Sequence, residues 1–440
     1  MGDSLGSGMK MLLQEFIDTI QKKLKGEISV NQSYKLSVVT RLSREFLLED
    51  ADPKGIKQTI YDILTDKPVA FVFGAGISQS KPYKLPGWGR LVNAINSDYF
   101  LMRLDRAGGR KLLSDSLQKL YANEDLYELA QYIQNNIRED ENFTKNNPDE
   151  AVSNAVNAEM YYFVKEALYE NKTVPVGGEK TEDTCLPMLL AKYMEANPRN
   201  ESNKIKRIIT YNYDDVFEDC LTKHKILYYP VFIDDQLPKL NFLDPNACVI
   251  YHVHGYVPFY TKNGADELAE QQKKYATEID AYLENSEAKA LVLSEDSYDE
   301  IARSQYKWRN TIQAETFLSY NCFVFGFSAS DKNFKRLTKL LDRKNPANRD
   351  DDGGVRHYIF FTIDDYIKKI FSPDKDISAD KIIEGLDKRD EIDKELLLDR
   401  CELLYHVLRS KRKYLLQFGV YPVWTLITDA PLRVKSIFNS

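Results

Sequence analysis

The sequence predicts an α/β protein, a doubly wound and mostly parallel sheet with helices on both faces. Three observations carry this. Short apolar runs recur along the 440-residue chain, separated by stretches of helical periodicity, and strands that alternate with helices build parallel sheets. The runs are continuous rather than alternating, as in "VAFVF" and "NCFVF", the pattern of strands buried on both faces. Most end in glycine or polar residues, and ligands of such sheets bind beyond the C-terminal ends of the strands.

Residues 10–66 read as helical. Leu13, Phe16, Ile17, Ile20 and Leu24 share one helical face, Gly26 follows as a stop, and "KLSVVTRLSREFLLED" reads as a second helix. The period changes at "PVAFVFGAGIS", where Val69 to Phe73 form a buried strand that enters a glycine turn. From about 90 to 205 the pattern returns to helices, including "DLYELAQYIQNNI" and "AEMYYFVKEAL", with polar loops between them. Strands are then expected at "KRIITY", "ACVIYHVHG", "ALVLSE", "NCFVFGFS", "HYIFFTI" and "VYPVWTL", with a charged helical stretch over about 262–290. The expected organisation is an N-terminal helical region (1–66), a ligand-binding domain (67–340) with a helical insertion at about 90–205, and a C-terminal α/β segment (341–440) that completes or flanks it.

Composition bounds the function. Hydrophobic residues make up 43% and charged residues 29%, an ordinary globular mix, and the net charge of −7 gives no global argument for nucleic acid. The 28 tyrosines can line pockets or simply pack half-buried. The five cysteines are scattered with no CxxC pair, which argues against a zinc ribbon or a disulfide framework. "MGDSLGSGMK" has no apolar h-region, and no apolar run approaches the roughly 18 residues of a membrane span. A soluble cytoplasmic protein is expected.

Four strand ends hold the chemistry. In "FGAGIS", Gly74, Ala75, Gly76 and Ser78 can turn tightly beside a phosphate, or form an ordinary βα turn. "LPGWGR" follows, a segment that can close over a ligand. In "TYNYDD", Thr210, Asn212 and Asp214 alternate; in extended chain they face one way and Tyr211 and Tyr213 the other. An amide and a carboxylate together can hold a polar ligand and a water, while Asp214 or Asp215 alone reads as a helix N-cap. In "YHVHG", His252 and His254 lack a nearby cysteine or carboxylate to complete a metal site. One imidazole as general base fits better, and His252 reads as a satisfied strand-end histidine. In "VFGFSASDKNF", Gly326, Ser328, Asp331 and Asn333 can meet ribose or phosphate, or cap the next helix.

In this order the four motifs resemble the sirtuin-like NAD-binding superfamily over roughly residues 66–340. "GAGIS" matches its first phosphate turn, Thr210-x-Asn212-x-Asp214 its T-x-N-x-D element, His254-Gly255 its catalytic His-Gly, and "GFS" with Asp331-x-Asn333 its late Gly-x-Ser turn. "DLYELAQYI" and "LVLSEDSY" are similar to the bacterial antiphage-defence branch, whose members hydrolyse NAD. The resemblance implies a Rossmann-like fold and NAD as substrate, without a metal. It makes Asn212 the holder of the attacking water and His254 the group that deprotonates or orients a ribose hydroxyl. Thr210 belongs to the same element, and Asp214 would contact the nicotinamide amide. Gly74, Ala75, Gly76 and Ser78 would cradle the pyrophosphate, and Gly326, Ser328 and Asp331 would serve the adenosine side. Residues 255–320 hold no cysteine and "KLPGWGR" replaces the deacylases' G-I-P-D-F-R run, so the zinc module and acyl-lysine cleft of deacylases are not expected. A non-catalytic NAD or ADP-ribose scaffold and an ADP-ribosyltransferase are the alternatives. The branch further implies a homo-oligomer or a HerA-type ATPase partner; the chain itself has no Walker A motif.

Overall fold

A computed structural model describes residues 12–24, 56–103, 125–139, 149–170, 172, 185–197, 205–263, 270–285, 287–303, 307–327, 357–372, 378–388, 393–426 and 430–438. Seven strands form one sheet: β1 (Val69–Phe73), β2 (Ile205–Thr210), β3 (Tyr228–Val231), β4 (Cys248–His252), β5 (Asn321–Phe325), β6 (His357–Thr362) and β7 (Val420–Thr425). Their order is β3-β4-β2-β1-β5-β6-β7, and every pairing is parallel. From β1 the chain lays β2, β3 and β4 to one side, with β3 at the edge and β4 returning beside β2, and then β5, β6 and β7 to the other. The crevice between β1 and β5 is therefore the switch point, where a doubly wound sheet opens for a ligand.

The continuous apolar runs follow from burial on both faces. Phe71, Phe73, Phe323, Phe325 and Phe360 enter one core. Ala70, Val72, Cys322, Val324 and Phe361, their neighbours along the strands, enter the other. The first core is closed by helices that include α2 (Ile56–Asp66), α3 (Trp88–Arg103), α4 (Leu126–Arg138), α5 (Asp149–Tyr169), α6 (Leu186–Ala196) and α7 (Val216–Lys223). Opposite lie α1 (Leu12–Leu24), α9 (Glu270–Glu284), α11 (Trp308–Ser319), α12 (Asp364–Phe371), α13 (Ala379–Lys388) and α14 (Lys394–Leu416). Short α8 (Tyr260–Asn263) and α10 (Glu295–Arg303) flank the sheet's C-terminal rim, and α15 (Ala430–Phe438) returns to the first core. Asp125 starts α4 by accepting the Tyr127 N–H at 2.9 Å. The C-terminal segment supplies β6 and β7 to the same sheet.

Two expectations change. "ALVLSE" is not a strand: its backbone is held singly, by Val292 N–H donating to the His254 carbonyl at 2.8 Å and Leu293 N–H to Ser297 Oγ at 3.0 Å. Among the described residues the seventh strand is instead β3, a four-residue run holding Pro230 that was not among the expected strands. Proline lacks the N–H that a central strand needs; β3 is an edge, and Pro422 sits in β7, the opposite edge. "KLSVVTRLSREFLLED" lies outside the described residues. Among the described residues, no helix is long and apolar enough to cross a membrane. All five cysteines are buried free thiols.

Candidate functional site

A cleft of about 740 Å³ runs over the C-terminal ends of the strands, from Asn212 and His254 to Thr362 and Lys368. That volume suits a ligand of nucleotide size. Its floor is the β1/β5 switch point, where two glycine turns interlock. The Gly74 N–H donates to the Phe325 carbonyl at 2.9 Å and the Gly76 N–H to the Gly326 carbonyl at 2.8 Å. A Cβ on Gly76 would stand 2.7 Å from Gly326 Cα, and one on Gly326, whose φ is +66°, 2.2 Å from the Ile77 nitrogen. Only glycine permits that approach. The N–H groups of Gly74, Gly76 and Ile77 are thus engaged within the protein, Ile77 donating to the Gly74 carbonyl at 3.1 Å. Gly74 and Gly76 supply close backbone approach to the cleft, while their own N–H groups are spent within the protein.

Ser78 does not line the cleft with Gly74, Ala75 and Gly76. It turns beneath them to join the "TYNYDD" segment. Its hydroxyl donates to Asp214 Oδ1 at 2.8 Å and accepts from Asn212 Nδ2 at 3.2 Å. This order fixes the amide: Ser78 spends its hydrogen on Asp214, so Asn212 must present its NH₂ to Ser78. Oδ1 of Asn212 is then left buried, with no hydrogen-bond partner among the described residues. Thr210 acts on the backbone, its Oγ1 accepting the Asn212 N–H at 3.0 Å.

The strict alternation ends with β2. Extended geometry stops at Thr210, so Tyr211, Asn212, Tyr213 and Asp214 all line the cleft. The two tyrosines flank His254, with ring centroids 4.9 and 6.5 Å from the imidazole. Their hydroxyls are tied away from the cleft, Tyr211 to Gln313 Oε1 at 2.6 Å and Tyr213 to the Val292 carbonyl at 2.7 Å. Tyr298 of α10 comes to 3.5 Å of His254 Nδ1. Tyr127 packs on Tyr298 at 4.6 Å and Trp88 on Tyr127 at 5.5 Å, which brings the "LPGWGR" segment and the helical insertion to the wall. Gly255, at φ +110°, turns the chain directly after His254.

The helix-cap expectation needs correcting. Asp215 stands at the N-cap position of α7, where its carbonyl takes the Asp219 N–H at 3.0 Å, but its side chain accepts nothing from that helix. Its carboxylate instead takes the N–H groups of Phe259, Tyr260 and Thr261 at 3.0, 3.1 and 2.8 Å, together with the Thr261 hydroxyl at 2.8 Å. It therefore clamps the chain that follows Gly255. The cap contact comes from Asp214, whose Oδ1 also accepts the Val216 N–H at 3.2 Å. Burial pushes Asp214 up to about 7, against the pull of its Ser78 and Val216 bonds, and pushes Asp215 up to about 6.

Gly326 lines the cleft with Phe327, while Ser328, Asp331 and Asn333 lie outside the described residues. No motif in the sequence marks the far end, where Thr362 ends β6 and Asp364, Asp365 and Lys368 follow it. Its one local signal was the acidic pair after "HYIFFTI". Tyr298 had a signal only in the "LVLSEDSY" resemblance. No group of three histidine, cysteine or acidic residues among the described residues could hold a metal ion.

Residues 206–379 match the family described as SIR2-like domain, which supports placement in the sirtuin-like superfamily. That span includes Thr210, Asn212, Asp214, His254 and Gly326. SIR2-like domains are often NAD-dependent enzymes, and the match implies NAD as the substrate. No curated protein matches the chain.

Proposed function

We propose that the chain is an NAD glycohydrolase that uses water to cleave the nicotinamide–ribose bond, giving nicotinamide, ADP-ribose and a proton. The observation that carries this is Asn212 Oδ1, a buried acceptor in a SIR2-like cleft with no partner among the described residues. Leaving such a group unsatisfied costs about 1–3 kcal/mol. A water or ribose hydroxyl donating to it removes that cost. His254 lines the same cleft and supplies an imidazole to orient or deprotonate a ribose hydroxyl. Trp88, Tyr127, Tyr211, Tyr213 and Tyr298 supply aromatic faces for the cationic nicotinamide ring. Asp214, held near neutrality, can accept from the carboxamide NH₂ when ionised or donate to its oxygen when protonated.

The reaction passes through an oxocarbenium-like ribose, so positioning the ring and the water is the main catalytic task. Removing one group used only in that state costs on the order of 10²–10³ in rate. Asn212→Ala and His254→Ala should therefore fold, bind ADP-ribose and lose nicotinamide release by that factor. Wild-type release from both variants would overturn the assignment. Binding without any release would favour a non-catalytic NAD or ADP-ribose scaffold. Mass spectrometry with labelled NAD separates hydrolysis from ADP-ribosyl transfer to a macromolecule.

A hydrolase that empties the NAD pool must be gated. The reading extends to a cytoplasmic antiviral defence protein that triggers abortive infection, held in check as a homo-oligomer or by a HerA-type ATPase. Its support is the resemblance of "DLYELAQYI" and "LVLSEDSY" to that branch. The particle mass with and without a co-expressed ATPase tests it.

A further inference from the structure

His252, the neighbour of the catalytic candidate His254, has no contact with the cleft. It ends β4 beside Thr210 of β2 and is fully buried. Its Nε2 lies 2.5 Å from Glu218 Oε1, itself 1% exposed, and its Nδ1 lies 3.3 Å from the backbone carbonyl oxygen of Asn212. Tyr256 packs on the ring at 4.4 Å between centroids. A carbonyl oxygen can only accept, so Nδ1 carries the hydrogen and donates. Nε2 and Glu218 Oε1 then share a second proton, carried by one or the other, and that contact fixes the ring plane from the other side.

We propose that Glu218 and His252 are positioning residues for Asn212, an inference that rests on the hydrolase reading above. Asn212 is then held at three points: its N–H by Thr210 Oγ1, its carbonyl by His252 Nδ1 and its side-chain NH₂ by Ser78 Oγ. The one polar atom left over is Oδ1. The relay ends on a backbone carbonyl rather than on substrate, so it acts on the direction of that oxygen. Loss of that anchor frees the backbone at Asn212 to shift, and a shift of its Cα carries Oδ1 with it. The pair should therefore govern turnover and leave NAD binding alone.

The test uses the full chain and NAD. His252→Leu removes the donor, and misplacement of a catalytic group by about 1 Å lowers kcat on the order of 10–100-fold. KM for NAD and Kd for ADP-ribose should stay within about threefold, as expected when only a transition-state contact is lost. His252→Asn can place an amide N–H near the Nδ1 position and should recover most of the lost kcat. In an Asn212→Ala background, His252→Leu should cause little further loss, because residues acting as one unit are not additive. Unchanged kcat in folded His252→Leu would overturn the inference, as would a multiplicative loss in the double variant or equal losses in His252→Leu and His252→Asn that follow Tm. If His252→Leu does not fold, the isosteric Glu218→Gln decides: lower kcat at unchanged KM supports the relay, and wild-type kcat ends it. A wild-type chain that releases no nicotinamide, alone or with its partner, removes the hydrolase reading and this inference together. An active wild type with an equally active His252→Leu removes this inference alone.

Discussion

The two ends of the cleft are built differently. At the β2 and β4 end, Ser78, Thr210, Asn212 and Asp214 are bonded to one another, and they and His254 are all at most 7% exposed. At the β6 end, Thr362 and Asp365 are exposed, and Asp364 and Lys368 are half-buried. The first end is preorganised, with Ser78, Thr210 and Asp214 holding Asn212 and leaving its Oδ1 over before any ligand arrives. The second offers charges that solvent still screens. Bond cleavage needs the first kind of surface, because fixed dipoles do not have to reorganise as charge develops. Holding a distant part of a long ligand needs only the second.

Substitutions can break this contrast, the largest effects first. On the reactive side, Asn212→Asp keeps an acceptor but loses the NH₂ that Ser78 receives and sets a second carboxylate beside Asp214. Its kcat should fall on the order of 10²-fold, in nicotinamide-release kinetics, with ADP-ribose binding retained. Between the two ends, Gly326→Ala would force a Cβ to 2.2 Å from the Ile77 nitrogen at a φ of +66°. Overpacking of this kind costs about 1–3 kcal/mol, so thermal melting should show a lower Tm and binding should weaken with it. At the far end, Lys368→Ala should raise KM by less than about tenfold and leave kcat unchanged, the signature of uniform binding. A kcat loss there as large as that of Asn212→Asp would erase the contrast.

The smallest effect is in pH. Asp214 is raised from the ordinary carboxylate value to about 7 by burial. The folded chain thus holds this proton more tightly than the unfolded chain, so the group favours folding most below its unfolded value of 3.8. That contribution is lost as pH rises through about 7. Asp214→Asn keeps an acceptor for Ser78 and Val216 but cannot titrate. Relative to wild type, its Tm should fall less between pH 4 and pH 8. Parallel Tm profiles for the two proteins would show that Asp214 is already ionised across that range.

Much of the sheet could be read from local pattern, because a strand buried on both faces leaves a continuous apolar run. β1, β2, β4, β5, β6 and β7 were legible for that reason. β3 was not, since "YYPV" is only four residues long and does not stand out from the segments around it. "ALVLSE" misled in the opposite sense, being apolar enough for a strand but held by contacts to His254 and Ser297. In the site, Asn212 and His254 stood out as candidates by residue type and by the resemblance, and the cleft brings both to one end. The role of Ser78 was not, because its partners lie 134 and 136 positions away. Glu218 was hidden as well: in sequence it is an ordinary acidic residue in the first turn of a helix. Only the fold sets it against His252.

The prolines at the two rims of the sheet bear on how copies of this chain can meet. Edge strands invite another strand to continue the ladder, which is how many sheets fuse into fibres or shared sheets. Here Pro230 sits mid-strand on one rim and Pro422 on the other, and neither has a hydrogen to offer a newcomer. A second molecule aligned there would find a gap in its row of donors at either border. If copies of this chain do associate, the prolines disfavour continuing the sheet at either border.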